Sequence, residues 1–144
     1  EHVQNYLDVY TAVTGKPLSK EEMILQSERV YNFERVFNLR MGKGTRADHN
    51  IPDRALGPVF EDEWNARPEY FDGKLSEAGI SPEGLPLKEK MTKLLEFRRS
   101  EWEKLVDAVY KRRGWNANGV PTLETLKRLG IDFPEVVDVV KAHQ

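Results

Sequence analysis

The chain has 144 residues, 39% hydrophobic and 32% charged, and its 22 Lys and Arg against 24 Asp and Glu leave a formal charge of -2. That length matches one ordinary domain that can bury a core without staples, and the near-balance of charge gives no field to draw nucleic acid or an anionic membrane. Cysteine is absent, which excludes disulfides, thiolate nucleophiles, zinc-thiolate sites and iron–sulfur ligation by this stretch of chain.

The polar balance suits amphipathic helices better than a parallel sheet buried on both faces. Val3, Tyr6, Leu7, Tyr10 and Val13 recur at three- and four-residue intervals and predict a first helix, ended by Gly15 and Lys16-Pro17. Ser19 with Glu22 is the capping-box signature, each side chain accepting from the other's backbone N–H. The second helix runs from there to Met41. Ile24, Val30, Phe33, Phe37 and Met41 share its apolar face, and Arg29, Arg35 and Arg40 point elsewhere. Gly42 and Gly44 stop it.

Residues 43–60 hold Gly44, Asn50, Pro52, Gly57 and Pro58, enough breakers to predict a long ordered loop. A short helix follows Phe60 with Trp64 in its first turns, and Pro68 kinks or restarts it before Tyr70, Phe71 and Leu75. Gly79, Pro82, Gly84 and Pro86 make 73–86 the expected flexible connector. Over 87–113, Leu87, Met91, Leu94, Leu95, Trp102, Leu105, Val106 and Val109 trace one helical stripe closed by Gly114. Thr122 caps a short helix bearing Leu123, Leu126 and Leu129, which Gly130 ends. Asp132 and Pro134 open a last helix on Val136, Val137, Val139 and Val140, although such Val-rich runs also make strands. The expected fold is all-α: a single irregular multi-helix domain over 1–144 with a long loop after the second helix.

Few residues announce chemistry. His2, His49 and His143 lack any zinc-ligand spacing, so no metal site is expected. The segment MGKGTR lacks the Walker glycine and hydroxyl, and it follows a helix C-terminus, where orphan carbonyls favour cations over phosphate. Between positions 35 and 47 no acid opposes Arg35, Arg40, Lys43 and Arg46, which makes a local positive edge. On the long helix Glu89 with Lys93, Glu101 with Lys104, and Asp107 with Lys111 stand at helical neighbour spacing, the pattern of a solvated face rather than a nucleic-acid surface. No apolar run approaches the roughly 20 residues of a membrane span. No catalytic or cofactor-binding residue is nominated.

The run SERVYNFERVFNLRMGKGTRADHNIPDR, residues 27–54, has an aromatic- and arginine-rich helix, a glycine-bearing break and a charged loop closing on I-P-x-R. It resembles the C-terminal helical region of the tungsten-containing aldehyde:ferredoxin oxidoreductases. The opening LDVYTAVTGKPLSKEEM and the later VYKRRGWNANGVPTLETLKRLG are similar to that family's flanking blocks, in the same order. RMGKGTR with DEWNARPEYFD and the tail DFPEVVDVVK look closer to the tungsten subunit of ATP-independent benzoyl-CoA reductases.

The resemblance implies the C-terminal domain type of that family, in a cytoplasmic parent that carries a tungsten bis-pterin and a 4Fe-4S cluster and works with an iron–sulfur electron-transfer partner; an oligomeric parent is compatible with it. The family's cluster cysteines and D-x-x-G-L-C element are not in this sequence. With Glu1 already inside a helical pattern, the chain reads as the closing portion of a longer polypeptide, packed on the N-terminal portion and binding no cofactor itself. Within it Thr45, Arg46, Asp48, His49, Asn50 and Arg54 are the substrate-channel candidates, placed to orient a carboxylate or a coenzyme A phosphate by charge-assisted hydrogen bonds, against the alternative that they brace the loop. The competing class is a stand-alone helical interaction module presenting Trp64, Trp102 and Trp115 to a partner.

Overall fold

A computed structural model describes residues 2–144, and among them every regular element is helical. In chain order these are α1 (His2–Thr14), α2 (Lys20–Arg40), a 3-10 turn (Arg46–Asp48), α3 (Asp53–Leu56), α4 (Glu61–Asn65), α5 (Pro68–Glu77), α6 (Leu87–Arg113), α7 (Leu123–Leu129) and α8 (Pro134–Ala142). None of the described helices is long and apolar enough to cross a membrane. The chain gathers into two compact units: the residues up to Asp48 with Tyr110–Gln144, and His49–Val109.

In the first unit, the capping box forms as expected: Ser19 Oγ accepts from the Glu22 N–H at 3.1 Å, and Glu22 Oε2 accepts from the Ser19 N–H at 2.7 Å. The core joins Val36 and Leu39 of α2 to Val120, to Leu126 and Leu129 of α7, and to Ile131, Val136 and Val140. Each such side chain contributes about 1.5–3 kcal/mol by leaving water. The valine run is a helix, because Val136 and Val140 stand one turn apart on its buried side. Thr122 caps α7, its hydroxyl accepting from the Thr125 N–H.

The buried side of α2 departs from expectation. Asn32, Arg35, Val36 and Leu39 face the core, whereas Ile24, Val30, Phe33, Phe37 and Met41 remain 45–66% exposed. Both sets fit a helical period. The smaller aliphatic pair wins because α7 and α8 supply a complementary apolar wall, and Arg35 enters the same face instead of pointing away. On α1 the unit buries only Leu7 of the expected stripe.

The second unit is built on Trp64, Leu75 and Leu94, with Phe71, Ile80, Leu87 and Met91 packed against them. Pro68 restarts the chain as α5, occupying its first turn. The segment expected to be a connector over 73–86 is helical as far as Glu77; the helix then closes through Gly79 N–H to Ser76 O and Ile80 N–H to Leu75 O, both 2.9 Å, with Ile80 folded back onto Leu75. That paired ending with its apolar contact is a specific stop. Lys90 Nζ reaches both Asp72 oxygens at 2.8 and 2.9 Å. The expected long loop 43–60 contains the 3-10 turn and α3. Along α6, Leu94 and Val106 are buried, but Leu105 and Val109 are not.

Trp64 is 1% exposed and Trp115 is equally a core residue. Of the three tryptophans of the interaction-module alternative, Trp64 and Trp115 are therefore not displayed at the surface, and Trp102 is half-buried.

Candidate functional site

In the first unit, chemistry-bearing side chains concentrate where α2 ends beside the 114–121 loop. Trp115 is central. Its Nε1 donates to Asn32 Oδ1 at 2.7 Å, the Arg35 guanidinium lies 4.5 Å from its ring centroid, and Tyr31 stacks on it at 5.8 Å and 12°. Arg113 in turn stands 3.7 Å from the Tyr31 ring. The result is a stack of two rings between two guanidinium groups, and a desolvated cation–ring contact such as that of Arg35 on Trp115 contributes up to about 2 kcal/mol.

Gly114 turns the chain at the end of α6 with φ of +70°, and a Cβ there would sit 2.1 Å from Thr125 Oγ1. Only glycine satisfies both conditions. Thr125 Oγ1 donates to the Gly114 carbonyl at 2.8 Å, and Trp115 and Pro121 pair across the loop.

Three consecutive loop carbonyls are then taken by α2 and the turn after it. Arg35 Nε donates to Gly119 O at 2.8 Å, the Arg46 N–H donates to Asn118 O at 2.8 Å, and Arg46 Nη1 donates to Ala117 O at 3.3 Å. Arg46 also lies 5.7 Å from the Tyr110 ring. Burial pushes the Arg35 guanidinium below its ordinary value, opposed by its hydrogen bond to Tyr110 and by the charge of Asp48; a guanidinium stays protonated regardless. Asp48 folds the turn upon itself. Its Oδ2 accepts from the Gly44 N–H at 2.8 Å, the Thr45 N–H at 3.0 Å and Thr45 Oγ1 at 3.3 Å, and Lys43 Nζ lies 3.5 Å from its Oδ1. The Thr45 backbone bond above all holds Asp48 below the usual carboxylate range.

Of the six sequence candidates, Thr45, Arg46 and Asp48 belong to the first unit, and His49, Asn50 and Arg54 to the second. Thr45 and Asp48 are brought together; Arg46 is directed to the 117–118 carbonyls. In the second unit His49 is half-buried and Asn50 exposed. Arg54 forms an ion pair with Glu63, whose other oxygen accepts from the Val59 N–H at 2.9 Å and the Phe60 N–H at 3.3 Å, fastening the start of α4. Arg54, Glu63 and Arg98 line a cleft of about 350 Å³ with Gly57, Pro58 and Phe71. Arg98 Nη1 donates to the Leu56 carbonyl at 2.8 Å.

The sequence missed Asn32, Arg35 and Tyr110. The available signal was a second stripe, Leu25, Asn32, Arg35, Val36 and Leu39, at the same helical spacing as the apolar face chosen first.

Tungsten-pterin and iron–sulfur centres ask for thiolate or clustered polar donors. The chain has no cysteine, and no group of three or more His, Cys, Asp or Glu is placed to hold a metal ion among the described residues. The donor set does not fit such a group.

Residues 1–131 match the family described as "Aldehyde ferredoxin oxidoreductase, domains 2 & 3". Among curated proteins the chain is similar to the tungsten-containing aldehyde ferredoxin oxidoreductase of Pyrococcus abyssi, 28% identical over 128 residues, covering 89% of this chain and 16% of that protein. It is also similar to the enzymes of the same name from Pyrococcus furiosus and Thermococcus kodakarensis, each 28% identical over 127 residues, or 88% of this chain and 16% of theirs. The chain thus spans 16% of the length of these relatives. No solved structure matches it. A match reaching through both compact units as far as Ile131, at the turn after α7, places the chain in the aldehyde ferredoxin oxidoreductase family, in the part that forms domains 2 and 3.

Proposed function

We propose that the chain is the helical part of a tungsten-dependent oxidoreductase, supplying architecture and a wall of the substrate channel while the rest of the polypeptide carries the metal chemistry. The observation that carries this reading is the family match across residues 1–131. A tungsten-pterin held by residues outside this chain would supply the two-electron chemistry in the parent, with an iron–sulfur electron-transfer protein or subunit as its partner. Like such enzymes in general, the protein would act in the cytoplasm.

The contribution of this chain is positional. The Arg35–Trp115 stack and the two arginines on the 117–119 carbonyls fix a glycine-bearing loop that would otherwise be free to move. Fixed walls hold a reacting group in place and keep water away from it. In the second unit Arg54 and Arg98 bring two guanidinium groups to one cleft, a fit for a carboxylate or a phosphate. The narrower proposal is a benzoyl-CoA reductase-like enzyme, whose substrate would bring phosphates; the aldehyde-oxidising reading needs only a carboxylate product.

The test is purification of the polypeptide as its gene encodes it, with tungsten and iron measured by mass spectrometry. Viologen-coupled assays with benzaldehyde and with benzoyl-CoA follow. Tungsten near one atom per polypeptide with turnover of either substrate supports the reading, and benzoyl-CoA turnover selects the narrower form. A polypeptide free of tungsten and inert to both overturns it.

A further inference from the structure

In the second unit Arg98 is a half-buried arginine that no acid answers. Its Nη1 donates to the Leu56 carbonyl at 2.8 Å, and among the described residues no carboxylate pairs with it, whereas Arg99 beside it pairs with Asp53. A charge drawn out of water costs free energy unless a counter-charge meets it. Glu63 lines the same cleft but is already engaged: Arg54 takes one of its oxygens, and the Val59 and Phe60 N–H groups share the other at 2.9 and 3.3 Å. Lys74, which the Arg98 charge also reaches, is answered by Glu77 at 2.6 Å. The backbone makes room for the Arg98 guanidinium. Gly57 is extended at φ of 162°, a conformation open to any residue, so its bareness answers a need for space: a Cβ there would stand 3.2 Å from Arg98 Nη1. Arg54 and Arg98 against Glu63 leave one net positive charge on a cleft of about 350 Å³, whose other walls include Ala55, Pro58 and Phe71.

We infer that this cleft binds a small organic monocarboxylate, its head on Arg98 and Arg54 and its apolar body against Phe71 and Pro58. The inference rests on the anion-binding role proposed above for the cleft and deepens it by choosing the ligand. Charge makes the first choice. A planar carboxylate brings one negative charge and matches the guanidinium fork, whereas a phosphate monoester brings about -1.5 to -2 at neutral pH, more than the cleft offers with Glu63 in its wall. Size makes the second. The volume lies near the lower end of the range for small-ligand pockets, about 300–1,000 Å³, too small to enclose the nucleotide end of a coenzyme A. Apolar walls beside the charged end then favour an acid with an aromatic or aliphatic body.

The experiment is calorimetric titration of the polypeptide as its gene encodes it with benzoate, and with benzamide and phenyl phosphate as the neutral and dianionic analogues. Benzoate should bind more tightly than either. Arg98→Gln keeps a donor for the Leu56 carbonyl and removes the charge, and it should weaken this benzoate by about tenfold or more, the loss of a charge-assisted hydrogen bond. Benzoate held elsewhere in the polypeptide is untouched by that variant. Arg54→Gln, at an exposed position, brings the net charge of the cleft to zero and should act in the same direction; it decides the matter if Arg98→Gln does not fold. Absence of benzoate binding, or binding that neither variant weakens, overturns the inference. Either analogue binding as tightly as benzoate through these arginines overturns the choice of a carboxylate. Tungsten measured in the same sample keeps the two readings apart: arginine-dependent benzoate binding without tungsten retains the cleft and rejects the tungsten function, and tungsten without such binding does the reverse.

Discussion

Trp115 Nε1 donates to Asn32 Oδ1 at 2.7 Å inside the first unit, linking residues 83 apart in sequence. Asn32 is further oriented by its own Nδ2, which donates to the Glu28 carbonyl at 2.9 Å, so its oxygen faces the indole without freedom to turn away. Asn32→Leu should cost about 1–3 kcal/mol, because it strands a buried N–H donor. Trp115→Phe in that background should add less than it costs alone, since both partners of the bond are then gone. Urea titrations of the four proteins in this cycle give the coupling directly.

Glycine substitutions should separate by position. At Gly119 φ is +75°, and a Cβ would meet Arg35 Nη2 at 2.5 Å and Tyr110 Cζ at 2.8 Å, whereas at Gly73, within α5, nothing lies within 4 Å. Gly119→Ala should therefore destabilise by more than about 1 kcal/mol and disturb the near-ultraviolet dichroism of Trp115. Gly73→Ala should stabilise by about 0.5–1 kcal/mol through helix propensity. Thermal midpoints moving in the same direction would contradict the placement of one of the two.

The turn at 44–48 should loosen in acid. The folded Asp48 carboxyl is held low by the Thr45 and Gly44 N–H groups, with Lys43 adding to the effect. A depressed carboxylate contributes stability above its unfolded value, about 3.9, and loses it as pH falls through the folded value. Glu22 in the capping box behaves alike, lowered first by the Ser19 backbone bond. Asp48→Asn should thus lower the thermal midpoint at pH 6, and the difference from the wild type should shrink as pH falls below the unfolded value. A constant difference across pH 2–6 would show that the charge is immaterial.

Local chemistry made much of this fold readable in sequence. Ser19 with Glu22, Pro68, Gly114 and Thr122 act on their own neighbours, and the helices start or stop where those residues dictate. Sidedness was another matter. α2 has two helical stripes, and nothing within residues 20–40 states that α7 and α8 will cover the one bearing Val36 and Leu39. The roles of the arginines were hidden for the same reason: Arg35, Arg46 and Arg98 bond to carbonyls of residues 119, 117 and 56, far along the chain, so a charge count between positions 35 and 47 reads as an unopposed edge what folding spends on loop carbonyls. The six candidates were likewise chosen as one run of sequence, and the chain divides them between two units at Asp48 and His49.

Arg54 and Arg46 give the sharpest functional contrast, because their surroundings differ. Arg54 is 65% exposed in its side chain and answers to Glu63 at the surface, where such pairs contribute at most about 1 kcal/mol. Arg46 uses its backbone and its guanidinium on the 117–118 carbonyls. On the proposed channel role, Arg54→Ala in the parent polypeptide should leave the thermal midpoint within a degree or two and raise KM for a ligand bearing a carboxylate or phosphate by about tenfold, the loss of one charge-assisted contact, with kcat retained. Arg46→Ala should lower the midpoint and reduce kcat and kcat/KM together, since a loosened 116–120 loop misplaces whatever it supports. Arg54→Lys keeps the charge without the planar fork and should recover only part of KM. Unchanged KM in Arg54→Ala, at full occupancy of the metal, would assign the residue to bracing α4 alone.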